Sequence, residues 1–217
     1  MGPVWDWDNA FGSTYFTRGL LTNGWRFVTA QDPGYTWYRR LFEDPDFLQI
    51  YVDRWSELRT NVLATSNILS AVDDIARQVR SAQARNVLRW PMTKKMGLPV
   101  GPDVDAFEAE VTWLKDWLAG RLAWIDGQEF PKPVTQVVQT SSSDPPKLAM
   151  ACLVGRLFYT TNNTDPRSPG GLPSANAREY SGPISLASNV TVTARVRSNY
   201  GLWSAPVVVG GKKPGNR

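Results

Sequence analysis

The chain has 217 residues, 42% of them hydrophobic, which is typical of a folded protein with room for one large or two small domains. It has no histidine and one cysteine, which excludes Ser-His-Asp and Cys-His catalysis, histidine-ligated zinc and an internal disulfide. The net charge is −3 up to Phe130 and +7 from Pro131 onward. The basic residues of the second part form no dense run, so we expect a solvated face and no nucleic-acid partner.

The first predicted element is a strand near the start of the chain. Residues 2–12 read Gly-Pro-Val-Trp-Asp-Trp-Asp-Asn-Ala-Phe-Gly. The alternation places Asp6 and Asp8 on one face and Trp5 and Trp7 on the other. Two carboxylates one strand repeat apart are the oxygen ligands that Mg²⁺ or Ca²⁺ prefers. The alternative is that both acids face water at a strand end while the tryptophans pack.

Three amphipathic helices are predicted after a loop and short-strand region from Phe11 to Trp37. The first starts at Asp44-Pro45-Asp46, where Asp44 can cap and Pro45 suits the first helical position, and it runs to about Ala64. The second runs from Thr65 or Ser66 to about Ala84. Residues 91–102 form a loop, and the third helix then continues until Gly127. The positions predicted to be buried in the first two helices are Phe47, Ile50, Tyr51, Trp55, Leu58, Val62, Ile68, Leu69, Val72, Ile75, Ala76 and Val79.

The composition changes to Pro, Thr, Ser, Gln and Val after Phe130, which indicates a domain boundary with one candidate strand in residues 134–139. The apolar neighbours of Cys152 predict a buried strand position. Short alternating segments separated by turns then predict a small β-sandwich. No stretch has the apolar length of a membrane span.

The first part of the chain resembles the CotH family, the spore-coat-type atypical protein kinases. The resemblance rests on the opening motif, Gly24-Trp25-Arg26-Phe27, Arg40 to Phe47, Arg54 to Arg59, Ala84 to Pro91, and Arg121 to Asp126. It implies that Asp6 is the metal-binding acid, in the part of the Asp of the protein-kinase Asp-Phe-Gly motif, with Asp8 as a second ligand or structural neighbour. The implied cofactors are Mg²⁺ or Mn²⁺ with ATP.

The other kinase elements of that family, a lysine over the phosphates and a catalytic Asp, precede this motif, and here only Met1 precedes it. We therefore expect the chain to be the C-terminal part of a longer protein, with a signal peptide upstream. We assign it no catalytic residue of its own and expect no phosphate transfer by this part alone.

The second part resembles the C-terminal sandwich domain of chitobiase and β-hexosaminidase, an Ig-like accessory module. The matching segments are Leu157 to Pro166, Tyr180 to Ile184, Val192 to Val196, and Trp203-Ser204. The resemblance implies a bacterial cell-envelope or extracellular setting. It implies no hydrolase activity, because residues from Lys147 onward hold only Asp165 and Glu179 as acids.

These observations predict a multidomain α+β chain: the helical C-terminal lobe of an atypical kinase-like fold, followed by a small all-β Ig-like sandwich. The predicted domains are residues 1–130 and 148–210, with a linker at 131–147 and a flexible tail at 211–217. The leading hypothesis is a CotH-type kinase that phosphorylates Ser or Thr of a coat or envelope protein. The alternatives are a non-catalytic envelope or coat interaction protein, or a polysaccharide-binding module using Trp203 or Tyr200.

Overall fold

The computed structural model describes residues 11, 17–25, 36–90, 104–129, 131–138, 146–186 and 190–210. The chain divides into two compact units. The helical unit comprises Met1–Ala30 with Leu58–Gln128, and the sheet unit comprises Gln31–Glu57 with Glu129–Arg217. The sheet unit therefore includes helical residues from the first half of the chain. The domain limits proposed from composition remain a prediction.

The described residues contain four α-helices: α1 (Thr36–Glu43), α2 (Pro45–Arg59), α3 (Thr65–Arg89) and α4 (Val104–Asp126). The three predicted helices are confirmed, and α1 adds one that begins inside the predicted loop region. The start of α2 follows from its cap, because Oδ1 of Asp44 accepts the N–H groups of Asp46 at 2.7 Å and Phe47 at 3.2 Å. None of the described helices combines the length and apolar character that a membrane crossing requires.

The helical unit buries the middle and C-terminal half of α4. Trp117, Leu118 and Leu122 on that helix are buried, whereas Ala76 is the buried apolar residue of α3. The predicted burial of Ile75 and Val79 is wrong, since they are 61% and 42% exposed. A long helix that meets its neighbour along a narrow line buries small residues there and leaves the flanks of its apolar stripe open.

The sheet unit contains seven described strands: β1 (Val134–Val138), β2 (Lys147–Ala151), β3 (Arg156–Thr160), β4 (Arg178–Glu179), β5 (Ile184–Ser185), β6 (Val192–Arg197) and β7 (Val207–Val209). They form an antiparallel three-stranded sheet, β1-β2-β5, and an antiparallel four-stranded sheet, β4-β3-β6-β7. Residues of β2, β3 and β6 share one apolar core. The small β-sandwich is therefore confirmed, and β1 lies inside the segment predicted as a linker.

Alternation along β3 and β6 gives the four-stranded sheet one apolar and one mixed face. Leu157 lies opposite Val196, and both are buried in the unit. The neighbouring pairs, Phe158 with Arg195 and Arg156 with Arg197, point to the other side, which we call the outer face. The outer face carries the charged groups described below.

Candidate functional site

The predicted metal ligands Asp6 and Asp8 lie outside the described residues. Within the described ranges, no group of three or more Asp, Glu, Cys or His side chains has a geometry that could hold a metal ion. The metal prediction therefore rests on the sequence.

The segment that follows the opening motif is anchored on α4. The indole Nε1 of Trp117 donates to the carbonyl O of Leu20 at 3.1 Å. Nη1 of Arg121 donates to the carbonyl O atoms of Thr22 at 3.0 Å and Gly24 at 2.8 Å. Main-chain carbonyls of an irregular segment need such donors, so the side chains of α4 fix the course of residues 20–24.

A buried arginine lies at the centre of the outer face of the sheet unit. Arg195 on β6 is 2% exposed. Its Nη1 and Nη2 donate to the carboxylate of Asp53 on α2 at 2.7 Å each, and its Nε and Nη2 donate to Asp165 at 2.8 and 2.6 Å. Nη1 also donates to the carbonyl O of Ser204 at 2.7 Å. Every N–H group of this guanidinium therefore has an acceptor.

Burial and hydrogen bonding act in opposite directions on Arg195. Burial disfavours its charged form, but the hydrogen bonds to Asp53 and Asp165 outweigh this effect and raise the pKa of Arg195 above its ordinary value. Gln49 of α2 completes the cluster, since its Nε2 donates to Asp53 at 2.9 Å and to the carbonyl O of Ser204 at 3.3 Å. With all donors of Arg195 engaged, this cluster holds α2 on the sheet and has no N–H left for a substrate.

A second carboxylate contact holds the first turn of α2. Both oxygens of Asp46 lie 3.0 Å from the N–H donor of Gly170, and one lies 2.6 Å from Nη2 of Arg167. The same Nη2 donates to the carbonyl O of Pro45 at 2.8 Å. The hydrogen bond from Arg167 and then that from Gly170 hold the pKa of Asp46 below its ordinary value. The turn at residues 168–172 thus binds a carboxylate at a helix start.

Sequence reasoning assigned no role to Asp53, Gln49 or Arg195. The predicted apolar stripe of α2 put Ile50 on the buried side, whereas Ile50 is 68% exposed and Gln49 is buried. One signal was present: an arginine between the apolar residues Ala194 and Val196 of a strand. A charge at such a position needs a partner, but the sequence does not say which acid supplies it.

The predicted roles in the sandwich have mixed outcomes. Asp165 accepts the N–H of Arg167 at 2.9 Å, a local hydrogen bond that is typical of an aspartate in a turn. Trp203 is a core residue, 3% exposed, whose Nε1 donates to the carbonyl O of Gly171 at 2.8 Å, so its ring is closed to a glycan. Tyr200 is 95% exposed. The predicted strand position of Cys152 is wrong, since it follows β2 and is half-buried.

The fold defines a helical region followed by a small sandwich, and comparisons with known families assign both. The family described as CotH kinase protein matches residues 1–125, and the family described as Fn3 associated matches residues 152–208. No curated protein and no solved structure shows a significant match to the chain. The CotH match covers more than half of this chain's 217 residues, so the chain belongs to the CotH kinase protein family. The predicted order of a CotH region and an Ig-like domain is confirmed.

Proposed function

We propose that this chain serves ATP-dependent phosphorylation of serine or threonine in a coat or envelope protein, with Asp6 as a ligand of Mg²⁺ or Mn²⁺. The observation that carries the proposal is the CotH match over residues 1–125, which includes the Trp-Asp-Trp-Asp motif. Kinases of known mechanism use such an acid to hold a metal that bridges the phosphates. We place this activity at the bacterial cell envelope or outside the cell.

The donor set at Asp6 and Asp8 fits this role. Both are carboxylates, separated by one residue, and hard divalent cations bind through oxygen. When bound, the cation would neutralise charge that develops on the transferred phosphoryl group. The role of Asp6 and Asp8 in this proposal is to hold the cation through their carboxylate oxygens.

The test is phosphate transfer from radiolabelled ATP by the full-length gene product, with an envelope-protein extract as the acceptor. We expect Asp6→Asn to lower transfer at least about a hundredfold, since metal stabilisation of a transition state amounts to several kcal/mol. Asp8→Asn should have a smaller effect. Asp116→Asn removes the same charge from an exposed position on α4 and is the matched control. Transfer by Asp6→Asn at the wild-type rate would refute the role of Asp6.

A non-catalytic interaction protein is the second candidate. It is favoured by exposed apolar side chains on two turns of the sheet unit: Leu172 at 63%, Tyr200 at 95% and Leu202 at 48%. Tyr200 and Leu202 belong to the same turn, and neighbouring exposed aromatic and aliphatic groups are typical of partner-binding surfaces. Phosphate transfer that depends on Asp6 would reject a purely non-catalytic role. Absence of phosphate transfer from ATP to any acceptor, with a full-length protein shown to be folded, would favour it.

A further inference from the structure

The sheet unit contains a short internal repeat. Residues Arg167–Ala175 read Arg-Ser-Pro-Gly-Gly-Leu-Pro-Ser-Ala, and residues Arg197–Ala205 read Arg-Ser-Asn-Tyr-Gly-Leu-Trp-Ser-Ala. The two copies agree at the arginine, both serines, the second glycine position, the leucine and the alanine. Each copy also forms the same antiparallel bridge, Arg167 with Pro173 in the first and Arg197 with Trp203 in the second.

The two copies close their turns with the same hydrogen bonds. In each, the N–H of the first serine donates to the leucine carbonyl O, at 2.8 Å in the first copy and 2.7 Å in the second. The glycine N–H donates to the serine carbonyl O at 3.1 Å in both. Gly171 and Gly201 have φ angles of 84° and 85°, a region that favours glycine. The sequence repeat is therefore a structural repeat.

The two arginines also occupy corresponding places. Nη2 of Arg167 lies 3.8 Å from the point where a Cβ on Gly171 would lie, and Nη2 of Arg197 lies 3.6 Å from that point on Gly201. In both arginines the Nε is buried without a hydrogen-bond partner, so only the Nη atoms can bind an acceptor. At Arg167 they bind Asp46 and main-chain carbonyl groups.

The backbone of the two turns differs at the position of Gly170 and Tyr200. Gly170 has a φ of 79°, which Tyr200, its counterpart, does not share. A positive φ at this position is required in a type II turn, so the two turns are of different types. What the second copy offers is a guanidinium and an exposed phenol ring.

Arg197 differs from its neighbours in lacking an acid. Arg195 pairs with Asp53 and Asp165, Arg167 pairs with Asp46, and Arg156 pairs with Glu179. Among the described residues Arg197 has no side-chain hydrogen bond or ion pair, and its guanidinium carbon lies 5.8 Å from the Trp203 ring centroid. Arg156 lies directly opposite it across the strands, but Glu179 already compensates the charge of Arg156.

We propose that Arg197 and Tyr200 form a docking site for an acidic segment of a partner protein. The carboxylate of that segment binds Nη atoms of Arg197 in the way that Asp46 binds Arg167. Tyr200, which is 95% exposed, and Leu202, which is 48% exposed, supply apolar contact beside the charge. The first copy also indicates the form of the ligand, since it binds an aspartate in the first turn of a helix.

A protein is the partner that this surface fits best. Arginine and tyrosine are enriched among the residues that contribute most to protein interfaces. The net charge of +7 from Pro131 onward would speed encounter with an acidic protein. An acidic glycan also carries carboxylates, but it does not need an exposed leucine next to the tyrosine.

The test uses a synthetic peptide of residues 43–59, which contains Asp44-Pro45-Asp46, titrated into the ¹⁵N-labelled full chain. We expect the amide signals of Tyr200 and Gly201 to shift while that of Gly170 stays, because the tethered α2 outcompetes the peptide at the first turn. Arg197→Gln should weaken binding about tenfold or more, as lost hydrogen bonds to charged groups do. A peptide with Asp46→Asn should weaken similarly.

Two further variants keep the test decisive. Arg178→Gln removes the same charge from an exposed position on β4 and should change the affinity by less than about twofold. Tyr200→Ala leaves the charge and the sheet intact and should also weaken binding. It replaces Arg197→Gln as the test if that variant does not fold. Binding at wild-type strength by Arg197→Gln, or shifts confined to Gly170, would overturn the proposal. So would tighter binding of alginate than of peptide, or shifts at Tyr200 caused by self-association alone.

Discussion

Two regions of this protein join their elements by ion pairs of the same length but of different surroundings. In the sheet unit, Arg195 and Asp53 lie 2.7 Å apart, with the arginine side chain 3% exposed. In the helical unit, Arg80 of α3 and Glu108 of α4 also lie 2.7 Å apart, but the two side chains are 53% and 47% exposed. The distance between the charged atoms therefore does not tell whether an ion pair holds a helix in place or contributes little at the protein surface.

The physical difference is hydration. An exposed pair exchanges water contacts for a weak Coulomb interaction that salt screens further. A buried arginine has already lost its water, so its carboxylates are required for the charged form to exist at that place. The contribution of each pair to folding should therefore follow its burial, and three substitutions test this from the largest effect to the smallest.

Arg195→Met should destabilise the sheet unit most. The substitution leaves Asp53 and Asp165 facing each other without their counter-charge, which should cost about 3 kcal/mol, at the low end for a broken buried pair because both acids are partly exposed. The measurement is urea unfolding followed by tryptophan fluorescence. Arg178→Met is the matched control. A loss below about 1 kcal/mol would place Arg195 among ordinary surface pairs.

Asp46→Asn should have an intermediate effect that depends on pH. The pKa of Asp46 is lowered in the folded chain, so its contribution is complete above the unfolded pKa of about 3.9 and is lost as the pH falls through the folded pKa. The variant should melt at a lower temperature than wild type at pH 7, and the gap should narrow as the pH falls below about 4. A difference in melting temperature that is the same at pH 7 and below pH 4 would contradict the lowered pKa of Asp46.

Lys115→Gln should have the smallest effect. Lys115 of α4 donates to Asp73 of α3 at 2.8 and 2.9 Å, but the side chains are 30% and 48% exposed. We expect a loss of about 0.5 kcal/mol or less, which should shrink further at high salt. Urea unfolding of wild type and variant at low and at high ionic strength gives the loss of stability and its dependence on salt. A loss equal to that of Arg195→Met would show that burial does not decide the strength of these pairs.

Much of the fold could be predicted from local signals. The cap at Asp44, Pro45 at the first position and the stop at Gly127 each act within one helical turn, and the structure has α2 and α4 beginning or ending there. The change from a helical period to short alternating segments likewise predicted the sandwich. For the candidate site, the sequence predicted only that Asp6 and Asp8 bind a metal ion, and both residues lie outside the described residues.

The sequence by itself determined that a helical part precedes a small sandwich, which family the chain belongs to and which acids are candidate metal ligands, because these depend on neighbours along the chain and on motif residues. Only the tertiary structure decided which face of α2 is buried. That face carries Gln49 and Asp53, and its partner Arg195 lies 142 residues after Asp53. Hydrophobic periodicity cannot predict this arrangement. The polar face of α2 can be buried because Arg195, which is distant in sequence, pairs with the carboxylate of Asp53.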